Sequence, residues 1–312
     1  MPPRADAGRL APVRVVDLEL TVPVGTLTGL ERYVELQALV RRHGVPLGWM
    51  ALPVTGGEVS REAIQAAVDA RWMRSSGPER VAPAPLPSVT VAVCTRDRPD
   101  DLARCLDALV RLDLPAVELL VVDNAPTNDR GERVVRGRHP RVRYVREPEP
   151  GLDHARNRAI VEATGEILAF TDDDVVVDPA WARALAEAFA GDPEVVAVTG
   201  LVVPWELETD AQVLFERYRS FARGFVPGRV KMDPSTGSMG WRYGNTGRFG
   251  TGANMAFRRE VFGRVGPFDP ALGPGTISRG GDDLEMLFRL LKAGGALRYE
   301  PRAVVRHRHR RE

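Results

Sequence analysis

This sequence predicts an α/β fold: a mostly parallel sheet flanked by helices, preceded by a small β-rich N-terminal module. Three observations carry that prediction. From Ser88 onward, short apolar runs alternate with helical patterns, the order that builds a parallel sheet with helices on both faces. Three of those runs end in polar residues: Thr95-Arg96-Asp97-Arg98, Asp123-Asn124 and Asp172-Asp173-Asp174. Ligands of parallel α/β sheets bind beyond the carboxyl ends of strands, so the coincidence marks one sheet edge as the functional one. Before residue 80 the texture is different, with alternating strands, one helix and no cluster of reactive side chains.

The elements follow in order. "VVDLELTV" alternates apolar and polar residues, as a half-buried strand does. "YVELQALVRRHGVPLGWMALPV" reads as two strands joined at His43-Gly44. In "SREAIQAAVDARWM", Ser60 is a candidate N-cap, with Ile64, Ala67, Val68 and Trp72 on one helical face. Residues 1–80 are thus expected to form the module, and the proline-rich "VAPAPLP" (81–87) a semi-rigid linker to a domain over 88–312. There "VTVAVC", "VELLVVDN", "VRYVRE" and "EILAF" are strands. "DDLARCLDALVRL" is a helix with Leu102, Cys105, Leu106 and Leu109 in one stripe. "HARNRAIVEAT" is a helix expected to end at Gly165, and Asp178-Pro179 caps the helix "AWARALAEAFA". The glycine-rich stretch 236–252 lacks periodicity and reads as a long irregular loop.

Bulk properties narrow the function. Among 312 residues, Lys+Arg 43 against Asp+Glu 42 leaves a formal charge of +1, so no global field favours nucleic acid. Cys94 and Cys105 have neither zinc spacing nor a disulfide framework; both read as buried free thiols in a reducing compartment. The N-terminus lacks the apolar run of a secretory signal, and no run is long enough to span a membrane. A cytoplasmic location is expected, with peripheral contact at the inner membrane face through the basic C-terminus as an option.

Chemistry is expected at three places. In "FTDDDVVVDP" three adjacent carboxylates repel one another and Asp is a poor strand residue. Side chains alternate along a strand, so Asp172 and Asp174 point the same way. Such a pair suits a hard cation, Mg²⁺ or Mn²⁺; an acidic turn with Asp178 as a helix cap fits as well. Asp282-Asp283 opens a helix, where carboxylates are favourable in any case, or where one of them faces a cleft as a general base. In "AVVRHRHRRE" a strand-like run precedes His307 and His309, candidate metal ligands, and arginines 306, 308, 310 and 311; a frayed tail or a polybasic membrane contact are the alternatives.

"VAVCTRDRPDDLARCL", "VVDNAPTND", "GLDHARNRAIVEATGEILAFTDDDV", "GTGANMAFRREVFGRVGPFDPALG", "GGDDLEMLFRLLKAGG" and "VVRHRHR" occur in this order. Together, over residues 88–309, they resemble the inverting family 2 glycosyltransferases, whose fold is GT-A. The resemblance implies metal-dependent transfer of a sugar from a nucleoside-diphosphate sugar, a UDP-sugar by preference, to an acceptor hydroxyl. It implies Thr95 and Arg98 in the loop lining the nucleotide, Asp123 on the base, and Arg156 as a basic contact to the nucleotide. Asp172 and Asp174 resemble the family's DxD motif, Asp172 nearer the ribose and sugar and also a metal candidate, Asp174 on the metal; Asp173, on the other side of the chain, either contacts the donor or serves hydrogen bonding alone. Asp283 resembles the general base of an acidic pair in which Asp282 replaces the usual Glu. His307 resembles a late histidine of the metal or diphosphate site, with His309 as its rival. Gly250, Gly252 and Asn254 are expected near sugar or acceptor, and Trp205, Trp241 and Tyr243 are candidates to stack on a sugar ring or to pack in core and loops. Three other classes compete. A dinucleotide oxidoreductase needs GxGxxG where "CTRDRPDD" stands, and a sugar-phosphate nucleotidyltransferase needs a glycine-rich basic phosphate loop there. A catalytically inactive binding module of the same fold would not need both acidic pairs intact.

Overall fold

The computed structural model describes residues 10–72, 85–232 and 246–312. They fall into two compact units. The first is built on a three-stranded sheet, β1 (Val13–Glu19), β2 (Glu35–Arg42) and β3 (Val45–Pro53), in that order. β1 and β2 run parallel, β2 and β3 antiparallel. His43 and Gly44 join the hairpin at φ 52° and 77°, the left-handed pair a two-residue turn requires. Helix α1 (Arg61–Trp72) follows, with Ser60 Oγ accepting from Ala63 N at 3.2 Å. Its Ile64, Val68 and Trp72 pack with Leu36, Ala38, Val40 and Met50, the face that the sequence periodicity predicts.

The second unit contains β4 (Val89–Thr95), α2 (Pro99–Leu109), β5 (Val117–Asn124), α3 (Arg130–Arg138), β6 (Arg143–Glu147), α4 (Leu152–Glu162), β7 (Ile167–Asp172), β8 (Val175–Val177), α5 (Trp181–Ala190) and β9 (Val195–Pro204). After α6 (Asp210–Arg219), which belongs to the first unit, come β10 (Gly228–Lys231), β11 (Asn254–Arg258), α7 (Phe262–Val265), α8 (Asp282–Lys292) and β12 (Ala296–His307). The sheet order is β10-β12-β9-β11-β7-β4-β5-β6, with β8 paired to β12. β7, β4, β5 and β6 are parallel neighbours, the part whose β-α-β rhythm is readable in the sequence. β11 runs antiparallel to both β7 and β9, and β12 antiparallel to β8 and β10. Parallel register aligns Thr95 with Asp123 and Cys94 with Asp172, so the polar strand ends share one edge.

Three expectations change. Helix α4 stops at Glu162, where Ala163 turns extended, and Gly165 serves another purpose. A Cβ there would lie 2.6 Å from Thr90 N, so glycine lets the chain pass close to β4, and its N–H donates to Thr90 Oγ1 at 2.9 Å. Asp178 Oδ1 accepts from Ala180 N at 3.0 Å, as an N-terminal aspartate should, but α5 starts at Trp181 and leaves Pro179 outside it. Cys105 is buried, whereas Cys94 is partly exposed; both are free.

The first unit also takes in Pro204–Phe225 and Arg308–Glu312, segments far from residues 1–80 in sequence. Val13 N donates to Leu207 O at 2.7 Å, and Val13, Leu207 and Val213 share a small core with Ala11. α6 carries a capping box between Thr209 and Gln212. The basic C-terminal segment is held to this unit, with Arg311 Nη2 2.8 Å from Glu206 Oε1 and His309 O accepting from Gln212 Nε2 at 2.9 Å. Among the described residues no helix is long and apolar enough to cross a membrane.

Candidate active site

Strand β7 delivers Asp172 to the edge of the sheet, and a tight turn to β8 carries Asp173 and Asp174. Antiparallel pairing sets His307, the last residue of β12, opposite Val175. One ligand atom each from Asp172, Asp174 and His307 lie within 4.8 Å of one another. Asp174 Oδ1 is buried without a hydrogen-bond partner, 3.5 Å from His307 Nε2. Two carboxylates and an imidazole, one oxygen left unsatisfied, fit a divalent cation such as Mn²⁺ or Mg²⁺.

Asp173 faces away from this group. Its Oδ2 accepts from Thr95 Oγ1 at 2.7 Å and its Oδ1 from Arg98 Nη1 at 3.1 Å. The same Arg98 nitrogen is 3.4 Å from Asp174 Oδ2. Thr95 and Arg98 thereby hold the acidic turn, joining the ends of β4 and β7. Burial pushes all three carboxyls up to about 6. For Asp172 the pull of Arg156 opposes burial, and Asp174 and Asp283 add to it; for Asp174 the neighbouring Asp173 adds to it and Arg98 opposes.

A second acidic group forms where α8 begins. Gly280 and Gly281, at φ 152° and 98°, turn the chain into the helix in a conformation open to glycine. Asp282 is 5% exposed and ion-paired with Arg156. Asp283 is half-buried; its Oδ2 accepts from Gly252 N at 2.7 Å and its Oδ1 from Leu284 N at 2.8 Å. Burial and then the Asp282 charge raise the Asp283 carboxyl, against Arg156 and the two N–H groups. A carboxylate so held, beside a cation site, is suited to accept a proton.

On the far side of β4, Asp123, the penultimate residue of β5, is 1% exposed. Its Oδ2 accepts from Tyr144 Oη at 2.7 Å, and Oδ1 is buried without a hydrogen-bond partner. Burial raises this carboxyl as well, against the Tyr144 bond. Asp97 Oδ1 accepts from Thr127 N at 3.0 Å and Thr127 Oγ1 at 3.1 Å, fastening the loop after β4 to the loop after β5.

The structure gives the other expected site residues surroundings of their own. Arg156, expected on the nucleotide, is 4% exposed between Asp153 and Asp282, so its guanidinium is already engaged by carboxylates. Asn254, expected near sugar or acceptor, is fully buried: Oδ1 accepts from Trp181 Nε1 at 2.8 Å, and Nδ2 donates to Ala303 O at 2.9 Å and Leu201 O at 3.1 Å. Gly250 lies against Thr199, whereas Gly252 does reach the acidic group through its N–H to Asp283. His309 belongs to the first unit, with Nε2 3.2 Å from Glu216 Oε2 and its ring among Phe215 and Phe221. Trp205 lies in the first unit at 40% exposure; Trp241 and Tyr243 fall outside the described residues. Asp153 and Tyr144 carry no expectation from the sequence. Asp153 stands three residues before Arg156, a same-face helical spacing that carries the signal. Tyr144 has no local signal, because its partner comes from a neighbouring strand.

Comparison with known proteins gives a consistent set of relatives. The family model described as Glycosyl transferase family 2 matches residues 90–266. The glucosyl-dolichyl phosphate glucuronosyltransferase of Haloferax volcanii is 25% identical over 193 residues, 59% of this chain and 57% of that one. The pre-mycofactocin glycosyltransferase of Mycobacterium tuberculosis is 26% identical over 223 residues, 71% of this chain and 43% of that one. The chain therefore spans about half the length of these curated relatives. Among solved structures, a mannosyltransferase from Pyrobaculum calidifontis in complex with GDP-Man and Mn²⁺ matches at a TM-score of 0.51 and 26% identity, covering 78% of this chain and 63% of that one.

Proposed function

This chain belongs to glycosyl transferase family 2, and from that premise we propose that it moves a sugar from a nucleoside-diphosphate sugar to an acceptor hydroxyl, with inversion at the anomeric carbon. Its mixed α/β fold is of the GT-A type. One observation carries the proposal: ligand atoms of Asp172, Asp174 and His307 within 4.8 Å of one another, on a sheet edge that also bears Asp123 and Thr95. Those three residues would hold Mn²⁺ or Mg²⁺, which, when bound, neutralises the charge that develops on a leaving diphosphate. The solved mannosyltransferase that resembles this chain holds Mn²⁺ with its sugar nucleotide, which supports the same cofactor here.

The remaining roles fall to the chain's own groups. Asp283 takes the proton of the acceptor hydroxyl as that oxygen bonds to the sugar. Asp282 is instead buried and already engaged in its ion pair with Arg156. Asp123 offers Oδ1 to a base N–H, such as the N3–H of uracil, in keeping with a UDP-sugar as the donor. Thr95 and Arg98 keep Asp173 and Asp174 in place while the donor binds. Arg308 and Arg311 are already beside Glu206, so membrane contact through the C-terminus is not needed for this reading.

Calorimetric titration with UDP, GDP and dTDP, each with Mn²⁺, followed by a screen of sugar nucleotides for metal-dependent turnover, tests the proposal. Asp174→Ala should lose metal-dependent binding. Asp283→Asn should bind the nucleotide and fail to transfer. Normal transfer by both variants would overturn the assignment, and absence of metal-dependent nucleotide binding in the wild type would overturn the function.

A further inference from the structure

Arg156 is the one expected nucleotide contact that is enclosed among acidic residues, and its surroundings are unusually specific. It lies on α4 and is 4% exposed. Its Nη1 is 3.2 Å from Asp153 Oδ1 and is ion-paired with Asp282 Oδ2, both of these carboxylates being buried. Its Cζ lies 5.3 Å from the centre of the Phe268 ring. Phe268 is in turn fixed from α4, because Asn157 Nδ2 donates to its O at 2.9 Å and Asn157 Oδ1 accepts from its N at 2.8 Å. Two glycines close over the cluster. A Cβ on Gly252 would lie 2.7 Å from Arg156 Nη2, and one on Gly273 would lie 2.9 Å from Asp153 Oδ2.

Buried charges persist only when paired, and withdrawing one partner leaves the other uncompensated. If Arg156 swung out to a diphosphate, it would strand Asp153 and Asp282 together in an enclosed site. Asp282 is the first residue of α8, so holding it fixes how the first helical turn is rotated. Asp283 comes next, and in that rotation it receives the N–H groups of Gly252 and Leu284. Gly252 is itself packed against Arg156, so both sides of Asp283 are set by the same guanidinium.

We propose that Arg156 is a positioning residue for Asp283: by clamping Asp282 and Asp153 beneath the Gly252 loop, it presents Asp283 rather than Asp282 to the acceptor. This rests on the function proposed above, in which Asp283 is the base.

The test uses the full chain with Arg156→Lys, which keeps the charge but not the planar fork, and the near-isosteric Asp282→Asn. Melting temperature, UDP affinity with Mn²⁺, and kcat and KM for the sugar nucleotide that the wild type consumes are measured for each. For Arg156→Lys, kcat should fall about tenfold or more with donor KM and UDP affinity changed less than about threefold, the signature of an interaction used in the reaction rather than in donor binding. Asp282→Asn should show the same pattern more mildly. A nucleotide contact would instead raise KM and weaken UDP with kcat kept, which overturns the inference. So does a variant that is only less stable, with normal kcat in the folded protein, or an Asp282→Asn that abolishes turnover while Asp283→Asn retains it. Should Arg156→Lys fail to fold, the kcat of Asp282→Asn decides: unchanged turnover overturns the clamp. A wild type that binds none of UDP, GDP or dTDP with Mn²⁺ removes the proposed function and this inference together; an active wild type beside the nucleotide-contact pattern removes the inference alone.

Discussion

At the scale of single residues, the tight turn between β7 and β8 presents its carboxylates to two different sides. Asp172 and Asp174 share a side with His307, and Asp173 faces Thr95 and Arg98. All three carboxyls are raised to about 6, chiefly by burial. A carboxyl raised in the folded state contributes stability that is present below its unfolded value and lost as pH rises through the folded one. The cation-free protein is thus penalised as pH climbs from about 4 to about 6 and stays penalised above. Asp174→Asn should therefore raise the melting temperature in EDTA at about pH 7.5, by an amount equivalent to about 1–2 kcal/mol, and change it little near pH 4. A larger gain at the lower pH would contradict that sign. Asp172, Asp174 and Asp283 are conspicuous in the sequence as carboxylates after an apolar strand or at a helix start, whereas the sequence leaves His307 and His309 as rivals until the pairing of β12 with β8 sets His307 beside Asp174. The state of Arg156 and Asn254 was not legible: residue type does not reveal that a polar group is enclosed and already satisfied by residues far away in the chain.

Elements are held together at both ends of the parallel strands, by different chemistry. Near the site, Asn254 on β11 bonds Trp181 of α5, Leu201 of β9 and Ala303 of β12. Asn254→Ala leaves those groups unpaired in the interior and should cost about 2–4 kcal/mol in denaturant unfolding, with UDP affinity in the folded protein preserved. A loss of UDP affinity without a loss of stability would return Asn254 to the substrate site. At the opposite ends of the strands, Glu118 of β5 accepts from Thr90 Oγ1 of β4 at 2.5 Å and from Thr164 Oγ1 at 2.7 Å, and is ion-paired with Arg143 of β6. Burial works against these bonds, yet they bring its carboxyl down to about 2. A lowered carboxyl contributes stability above its unfolded value and loses it as pH falls toward the folded one. Glu118→Gln should accordingly flatten stability between about pH 4.5 and pH 2 in acid titration followed by circular dichroism; an unchanged acid limb would show the network to be inert. Strands β4 to β7 were legible because their apolar runs alternate with helices. β9, ten buried residues from Val195 to Pro204, carried a plain apolar signal that the reading passed over, as did the Thr209–Gln212 cap of α6. β11 follows a stretch without periodicity and is recruited by its neighbours, a cause no local window contains.

For the whole molecule, division into units was only half legible. The change of texture near residue 80 is visible in the sequence, but the return of 204–225 and 308–312 to the first unit depends on long-range contacts such as Val13 with Leu207. A cation and a nucleotide that bind only the folded protein should stabilise it by about 2.7 kcal/mol at a hundredfold excess over the dissociation constant. Thermal unfolding with Mn²⁺ plus UDP should show that shift, Asp174→Ala should abolish it, and Asp283→Asn should keep it. Equal shifts in all three proteins would place the ligand elsewhere. One consequence follows from β12, whose final residue is His307. Translation supplies Asp174 and then His307 about 130 residues later, an interval of roughly 7–27 seconds at 5–20 residues per second. Throughout that interval a growing chain has both aspartates and lacks the imidazole that would complete the ligand set. A polypeptide cut short just before residue 307 would carry nearly all of the fold's sequence but only the two aspartates of the proposed ligand set, so cation affinity should separate the two lengths.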